Sequence, residues 1–140
     1  MKLCSACLLG IDCVYDGGNN KNEEILRLLR RETLIPVCPE QLGGLPTPRI
    51  PAEQRGQRVI TKKGIDVTEN FRKGARETLR LARLYGAREV ILKQRSPSCG
   101  VGQIHDGTFS GRVIVGNGIT AALLKENGLK VMSEEDLLQP

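Results

Sequence analysis

The chain has 140 residues, 39% of them hydrophobic and 26% charged, with 21 Lys+Arg against 16 Asp+Glu for a net charge of +5. A domain of that length buries about 68–70% of its unfolded surface, so it needs neither disulfides nor metal merely to fold. Aromatics are 3%, with no Trp, which leaves an aliphatic core and almost no stacking platform for single-stranded nucleic acid.

The charges are dispersed and fit a mildly basic surface, with nucleic acid a disfavoured partner that the sequence leaves open. No apolar run approaches the roughly 18 residues of a membrane span. The polar, turn-forming continuation of MKLCSACLLG argues against a signal peptide, so a cytoplasmic protein is expected. Five cysteines are an odd number in a chain of adequate core size, which favours thiols or metal ligands over a disulfide framework.

Lys2 to Ala6 reads as a short strand leading into the loop Cys7-Leu8-Leu9-Gly10 and the turn Tyr15-Asp16-Gly17-Gly18. Glu23 to Arg31 spaces Ile25, Leu28 and Leu29 as a helix, with acids first and arginines last to match its dipole. Leu34-Ile35-Pro36-Val37 is a second strand, weakened by its proline. The Pro/Gly-rich stretch from Gly43 to Gly56 predicts an ordered loop. Arg58–Thr61 and Ile65–Val67 flank Lys63-Gly64 as a small hairpin. The longest helix is expected over Glu69–Tyr85, with Phe71, Ala75, Leu79, Ala82 and Leu84 inward and Gly86 as its stop. Glu89–Leu92 is a third buried strand. Arg112–Val115 reads as a strand, Gly118–Asn127 as a helix stopped at Gly128, Lys130–Met132 as a last strand, and Ser133 onward as a short capped helix. Alternating strands and helices predict an α/β fold: one domain over 1–140, three layers, a mainly parallel Rossmann-like sheet.

Ligands in such sheets bind beyond the carboxyl ends of the strands. Cys7, Cys38 and Cys99 each follow one of the three apolar strands. Converging thiols suit a soft centre such as zinc, copper(I) or iron–sulfur, and the same pattern also fits three small cysteines packed beside turns. Cys4 and Cys7 form a C-x-x-C, with Cys4 expected inside the strand as a core residue; Cys13 lies in the following loop with no role the sequence requires. Glu40, two residues past Cys38, is a candidate general acid or base. Ser96 and Ser98 flank Pro97; either hydroxyl could meet a ligand, and at least one is expected to form the turn. Lys93, Arg95 and Arg49 are cations suited to a carbonyl-bearing or anionic ligand. Asp16 is a ligand candidate or an Asx turn. Gly116-Asn117-Gly118 reads as a helix cap. His105, the only histidine, lacks a partnered nucleophile and is expected to be a surface or structural residue.

Three segments together carry a resemblance: Ser5-Ala6-Cys7-Leu8-Leu9-Gly10 with Tyr15-Asp16-Gly17; Pro36-Val37-Cys38-Pro39-Glu40 with Gly43-Gly44-Leu45-Pro46-Thr47-Pro48-Arg49; and Arg95-Ser96-Pro97-Ser98-Cys99-Gly100. In this order they resemble the bacterial thiouracil desulfurase (desulfidase) family, formerly a domain of unknown function. The resemblance implies a 4Fe-4S cluster on Cys7, Cys38 and Cys99, with one iron open to the sulfur of a thiolated pyrimidine. It implies non-redox replacement of that sulfur by water, with Glu40 moving protons, Ser96 assisting, and Lys93, Asp16, Ser98 and Arg49 as substrate-binding candidates. After aerobic preparation, zinc or an empty site is expected. His105 stands where the resemblance leads one to expect a tyrosine, a change expected to affect packing. The alternative is a zinc- or thiol-based structural or nucleic-acid-binding module on the same cysteines.

Overall fold

The computed structural model describes residues 1–138. Among these residues, four parallel strands form one sheet in the order β2-β1-β5-β8 (Leu34–Val37, Lys2–Ser5, Glu89–Leu92, Lys130–Ser133). The central strands are short and apolar because both faces are covered: Leu3, Cys4, Val90, Ile91 and Leu92 are all fully buried. Pro36 is tolerated because β2 lies at the sheet edge.

Alternation within the strands splits the core. Leu3, Val90 and Leu92 pack with Leu79 and Ala82 of α3 (Thr68–Tyr85) and with Ala121 and Leu124 of α4 (Ile119–Glu126). Cys4 and Ile91 pack with Ile25 of α1 (Glu23–Leu29). Helices therefore cover both faces, giving the expected three layers. Local signals set their ends: Asn22 Oδ1 accepts from the backbone of Glu24 and Ile25 to start α1, and Gly86 ends α3 in the left-handed conformation at φ 68°. With β2 and β5 on opposite sides of β1, the sheet order switches direction there, which opens a crevice at the strands' carboxyl ends.

The expected hairpin is in a different place. Arg58–Thr61 (β4) pairs antiparallel with Ala52–Arg55 (β3), inside the stretch expected to be loop. The forward pairing shrinks to one bridge, Ile60 to Asp66. The sequence of β3 hides this because its four residues show no apolar alternation. A short helix α2 (Pro39–Leu42) follows Cys38, and a second hairpin joins β6 (Gln103–His105) to β7 (Val113–Val115). Leu84, expected inward, is 69% exposed. Gly74 and Thr78 take the buried stripe of α3 instead, because helical phase outweighs residue hydrophobicity there.

Candidate active site

A cavity of about 480 Å³ opens where the sheet order switches, a size suited to a small-molecule site. Its floor comes from strand ends. Ser5 and Cys7 leave β1, Val37 and Cys38 leave β2, and Lys93 and Gln94 leave β5. The turn after β5 brings in Ser96 and Cys99. Cys7 sits in a single 3-10 turn over Ala6–Leu9, closed by Gly10 at φ 90°. Cys38 is the N-cap residue of α2, and Cys99 lies in a turn closed by the Gly100 N–H on Ser96 O at 2.8 Å. Cys7, Cys38, Cys99, Glu40, Ser96, Lys93 and Arg49 all line this one cavity.

Cys13 also lines it, which the sequence reading left open. The loop folds back through Asn20 N–H on Cys7 O at 3.0 Å and Val14 N–H on Gly18 O at 3.1 Å. All five thiols are free. Their protonation is graded. A hydrogen bond from Cys13 favours the Cys7 thiolate, against burial and with help from Asn20 and Lys93. The same donor, with the Gln41 N–H and Arg49, brings Cys38 down to about 7 against the cost of burial. Cys13 itself is pushed up, first by those bonds to Cys38 and Cys7 and then by burial, so it is the thiol that keeps its proton. Burial lifts Cys99 to about 12, a proton that metal binding would displace. Cys4 does not line the cavity; it is fully buried on the α1 face and lifted to about 12 by burial.

Glu40 is largely buried, its side chain 20% exposed, with Arg49 Nε 3.5 Å from Oε1. Burial raises its carboxyl and Arg49 opposes the rise. Arg49 is committed elsewhere as well: Nη1 donates to Pro46 O and Thr47 Oγ1, and Nη2 donates to Cys13 O at 2.9 Å. It acts on Glu40 and on the Cys13 loop rather than presenting a free guanidinium. Lys93 is similarly tied, with Nζ 3.1 Å from the buried carboxylate of Glu134 and donating to Gln94 O.

Ser96 Oγ accepts from the N–H groups of Ser98 and Cys99 at 3.1 and 3.0 Å. Its own hydroxyl proton is left for the cavity. The other serine of the pair serves the fold. Ser98 is fully buried, bonded to Thr120 Oγ1 at 2.7 Å, and does not line the cavity. Asp16 does not line it either: it is exposed and accepts from Gly18 N–H at 2.9 Å, an Asx turn. The structure thus gives neither Ser98 nor Asp16 the place a substrate-binding residue needs.

The far wall was not legible. Glu53 of β3, His105 of β6 and Phe109 line the cavity. The one available signal was an aromatic isolated within Gly107-Thr108-Phe109-Ser110-Gly111, outside any apolar periodicity.

Residues 3–136 match the family described as 2-thiouracil desulfurase. The chain belongs to the 2-thiouracil desulfurase family. It is 46% identical to the uncharacterized protein YbbK of Bacillus subtilis (strain 168), over 98% of this chain and 97% of that one. It is 43% identical to a solved structure, the 4Fe-4S-dependent thiouracil desulfidase TudS, covering 98% of this chain and 92% of that one with a TM-score of 0.92. The fold of this 2-thiouracil desulfurase family member is thus the expected α/β one. No helix among the described residues is long and apolar enough to cross a membrane.

Proposed function

We propose that the protein removes sulfur from a small thiolated pyrimidine such as thiouracil, using a 4Fe-4S cluster held by Cys7, Cys38 and Cys99. The observation that carries this reading is the meeting of those three free thiols with Glu40 in one cavity. The donor set fits the group: thiolates are the usual ligands of iron–sulfur clusters, and two of the three are already biased toward thiolate.

Cys7, Cys38 and Cys99 would hold the cluster, which would supply Lewis-acid chemistry to polarise the carbon–sulfur bond. Water replaces sulfur at the ring carbon, giving the oxo base and hydrogen sulfide with no net electron transfer. Glu40, raised by burial, takes a proton from water or returns one to the base. Ser96 directs its unspent hydroxyl proton into the cavity. Arg49 holds the Glu40 carboxylate in place, and Lys93, braced by Glu134, adds positive charge near Cys7.

The test is anaerobic reconstitution with iron and sulfide, followed by an iron count, a visible spectrum and an assay of uracil and sulfide from 2-thiouracil. About four irons per chain with stoichiometric uracil and sulfide is the expected result. Failure to take up iron would overturn the cluster; a loaded protein inert to thiouracil would overturn the substrate.

A further inference from the structure

The cavity wall opposite the known motifs holds a second device. Of the two phenylalanines, Phe71 is core, whereas Phe109 is half-buried in the cavity wall and packs in none of the hydrophobic clusters among the described residues. Its φ is +56°, a left-handed conformation that is uncommon for a bulky residue and that concentrates at functional sites. Arg95, the other non-glycine residue with positive φ among those described, lines the same cavity.

Two side chains of β3 and its backbone hold Phe109 there. Glu53 Oε1 accepts from both Gly107 N–H at 3.0 Å and Phe109 N–H at 3.1 Å. Arg55 Nε donates to Gly107 O at 2.9 Å. The loop lies so close that a Cβ on Gly107 would meet Gln54 O at 2.6 Å. Asp106 Oδ1 accepts from Thr108 N–H at 3.0 Å. The segment is therefore pre-organised before any ligand arrives. Beside it, His105 lines the cavity with its Nδ1 buried and without a hydrogen-bond partner among the described residues. A buried polar atom left unpaired in a native structure asks for a partner.

We propose that Phe109 and His105 form the specificity wall for the substrate ring. Phe109 stacks on the face of a planar thiolated heterocycle, and the His105 imidazole, turned about its Cβ–Cγ bond so that the unpartnered Nδ1 reaches the cavity, takes one hydrogen bond at the ring's polar edge. A thiouracil edge offers both N–H and C=O, so either imidazole tautomer finds a match. The wall selects flat, conjugated thio-oxo rings over puckered or open-chain thioamides. This rests on the proposed desulfuration and names the substrate class for the same site.

The experiment compares the reconstituted wild type with Phe109→Leu, Phe109→Tyr and His105→Phe. Leucine keeps bulk without an aromatic face; tyrosine keeps the face. Turnover is read on 2-thiouracil and on 5,6-dihydro-2-thiouracil, which has the same polar edge on a puckered ring. Equilibrium dialysis reads binding of uracil and dihydrouracil, which carry no sulfur. Base–aromatic stacking supports an expectation of about a tenfold loss of planar-over-puckered preference in Phe109→Leu, mainly through KM, with the preference restored in Phe109→Tyr. His105→Phe raises KM for both rings alike. Should the wild type take up iron but leave thiouracil untouched, the desulfuration substrate fails, and the dialysis arm still decides: a uracil preference present in wild type and absent in Phe109→Leu supports the wall. A ring preference unchanged by Phe109→Leu, or no binding of either base by the wild type, overturns it.

Discussion

Arg49 brings its Nε to 3.5 Å from Glu40 Oε1 while its terminal nitrogens hold the carbonyls of Pro46 and Cys13 and the hydroxyl of Thr47. One buried cation thus ties the proposed proton carrier to the loop bearing a cavity thiol. Glu40→Gln keeps the shape and removes the titrating oxygen. Steady-state turnover of thiouracil is expected to fall by about 10²- to 10⁴-fold with the iron count unchanged. Arg49→Met leaves Glu40 buried without its counter-charge and removes the tie to Cys13; it is expected to lower activity and also loosen cluster retention, seen as faster bleaching of the visible spectrum. Bleaching at the wild-type rate would separate the two roles.

Strand ends were the legible part of this site. Cys7, Cys38 and Cys99 follow apolar runs that a parallel sheet buries on both faces, so reading the strands located the thiols. What could not be read depends on backbone path. Cys13 reaches the cavity because the turn at Asp16 and the Asn20 N–H fold its loop back onto Cys7. His105 of β6 and the following Phe109 are anchored against β3, whose Ala-Glu-Gln-Arg sequence shows no strand alternation. Its polar side chains are spent on anchoring: Gln54 Nε2 donates to Pro97 O at 2.7 Å and Asn117 O at 3.1 Å. Serines were ambiguous for a similar reason, since only the fold decides which hydroxyl points inward.

Cys13 keeps its proton beside Cys7 and Cys38, the sulfurs proposed as cluster ligands, so its removal should be felt electronically. Hydrogen bonds to cluster sulfurs help set the reduction potential; they favour the more negative, reduced state. Cys13→Ala is expected to retain about four irons and to shift the potential to a more negative value, measured by anaerobic redox titration. Cys7→Ala, Cys38→Ala and Cys99→Ala are each expected to lose the cluster. Loss of iron in Cys13→Ala would instead make Cys13 a ligand.

Ser98 and Thr120 tie the Cys99 turn to the start of α4 through a fully buried hydroxyl pair. Ser98→Ala leaves the Thr120 hydroxyl unpaired, at a cost of about 1–3 kcal/mol. Chemical denaturation should show that loss, and Ser98→Ala with Thr120→Val should recover part of it. KM for thiouracil is expected to stay near the wild-type value in Ser98→Ala, because the hydroxyl does not line the cavity. A large rise in KM with unchanged stability would return Ser98 to the substrate.

Asp106 gives a pH-dependent term in the loop that carries Phe109. Its carboxyl lies below the ordinary 3.8, chiefly through the Thr108 hydroxyl and then the Thr108 N–H, with smaller help from Arg112 and His105. A depressed carboxyl contributes stability that is present above the unfolded value and is lost as pH falls through the folded one. Asp106→Asn mimics the protonated form. Urea midpoints of wild type and variant are therefore expected to differ at pH 7, with the wild type higher, and to converge as pH drops below 3.8. A gap that persists at the acid end would show that Asn disrupts the turn by shape rather than by charge.

Gly74 and Gly43 let α3 touch α2 directly beneath the site. A Cβ on Gly74 would lie 1.9 Å from Pro39 O, and one on Gly43 would lie 2.0 Å from Asn70 O. Pro39 stands between Cys38 and Glu40, so any displacement of α2 moves a proposed ligand and the proton carrier together. In an open helix, Gly→Ala gains about 1 kcal/mol. Here the new methyl meets backbone that cannot rotate away, and overpacking of that kind costs about 1–3 kcal/mol or more. Gly74→Ala is therefore expected to lower the denaturation midpoint and to reduce iron bound per chain after reconstitution, although residue 74 does not line the cavity. Unchanged iron loading with lowered stability would show that α2 yields without moving Cys38, and would confine the effect of this glycine contact to packing.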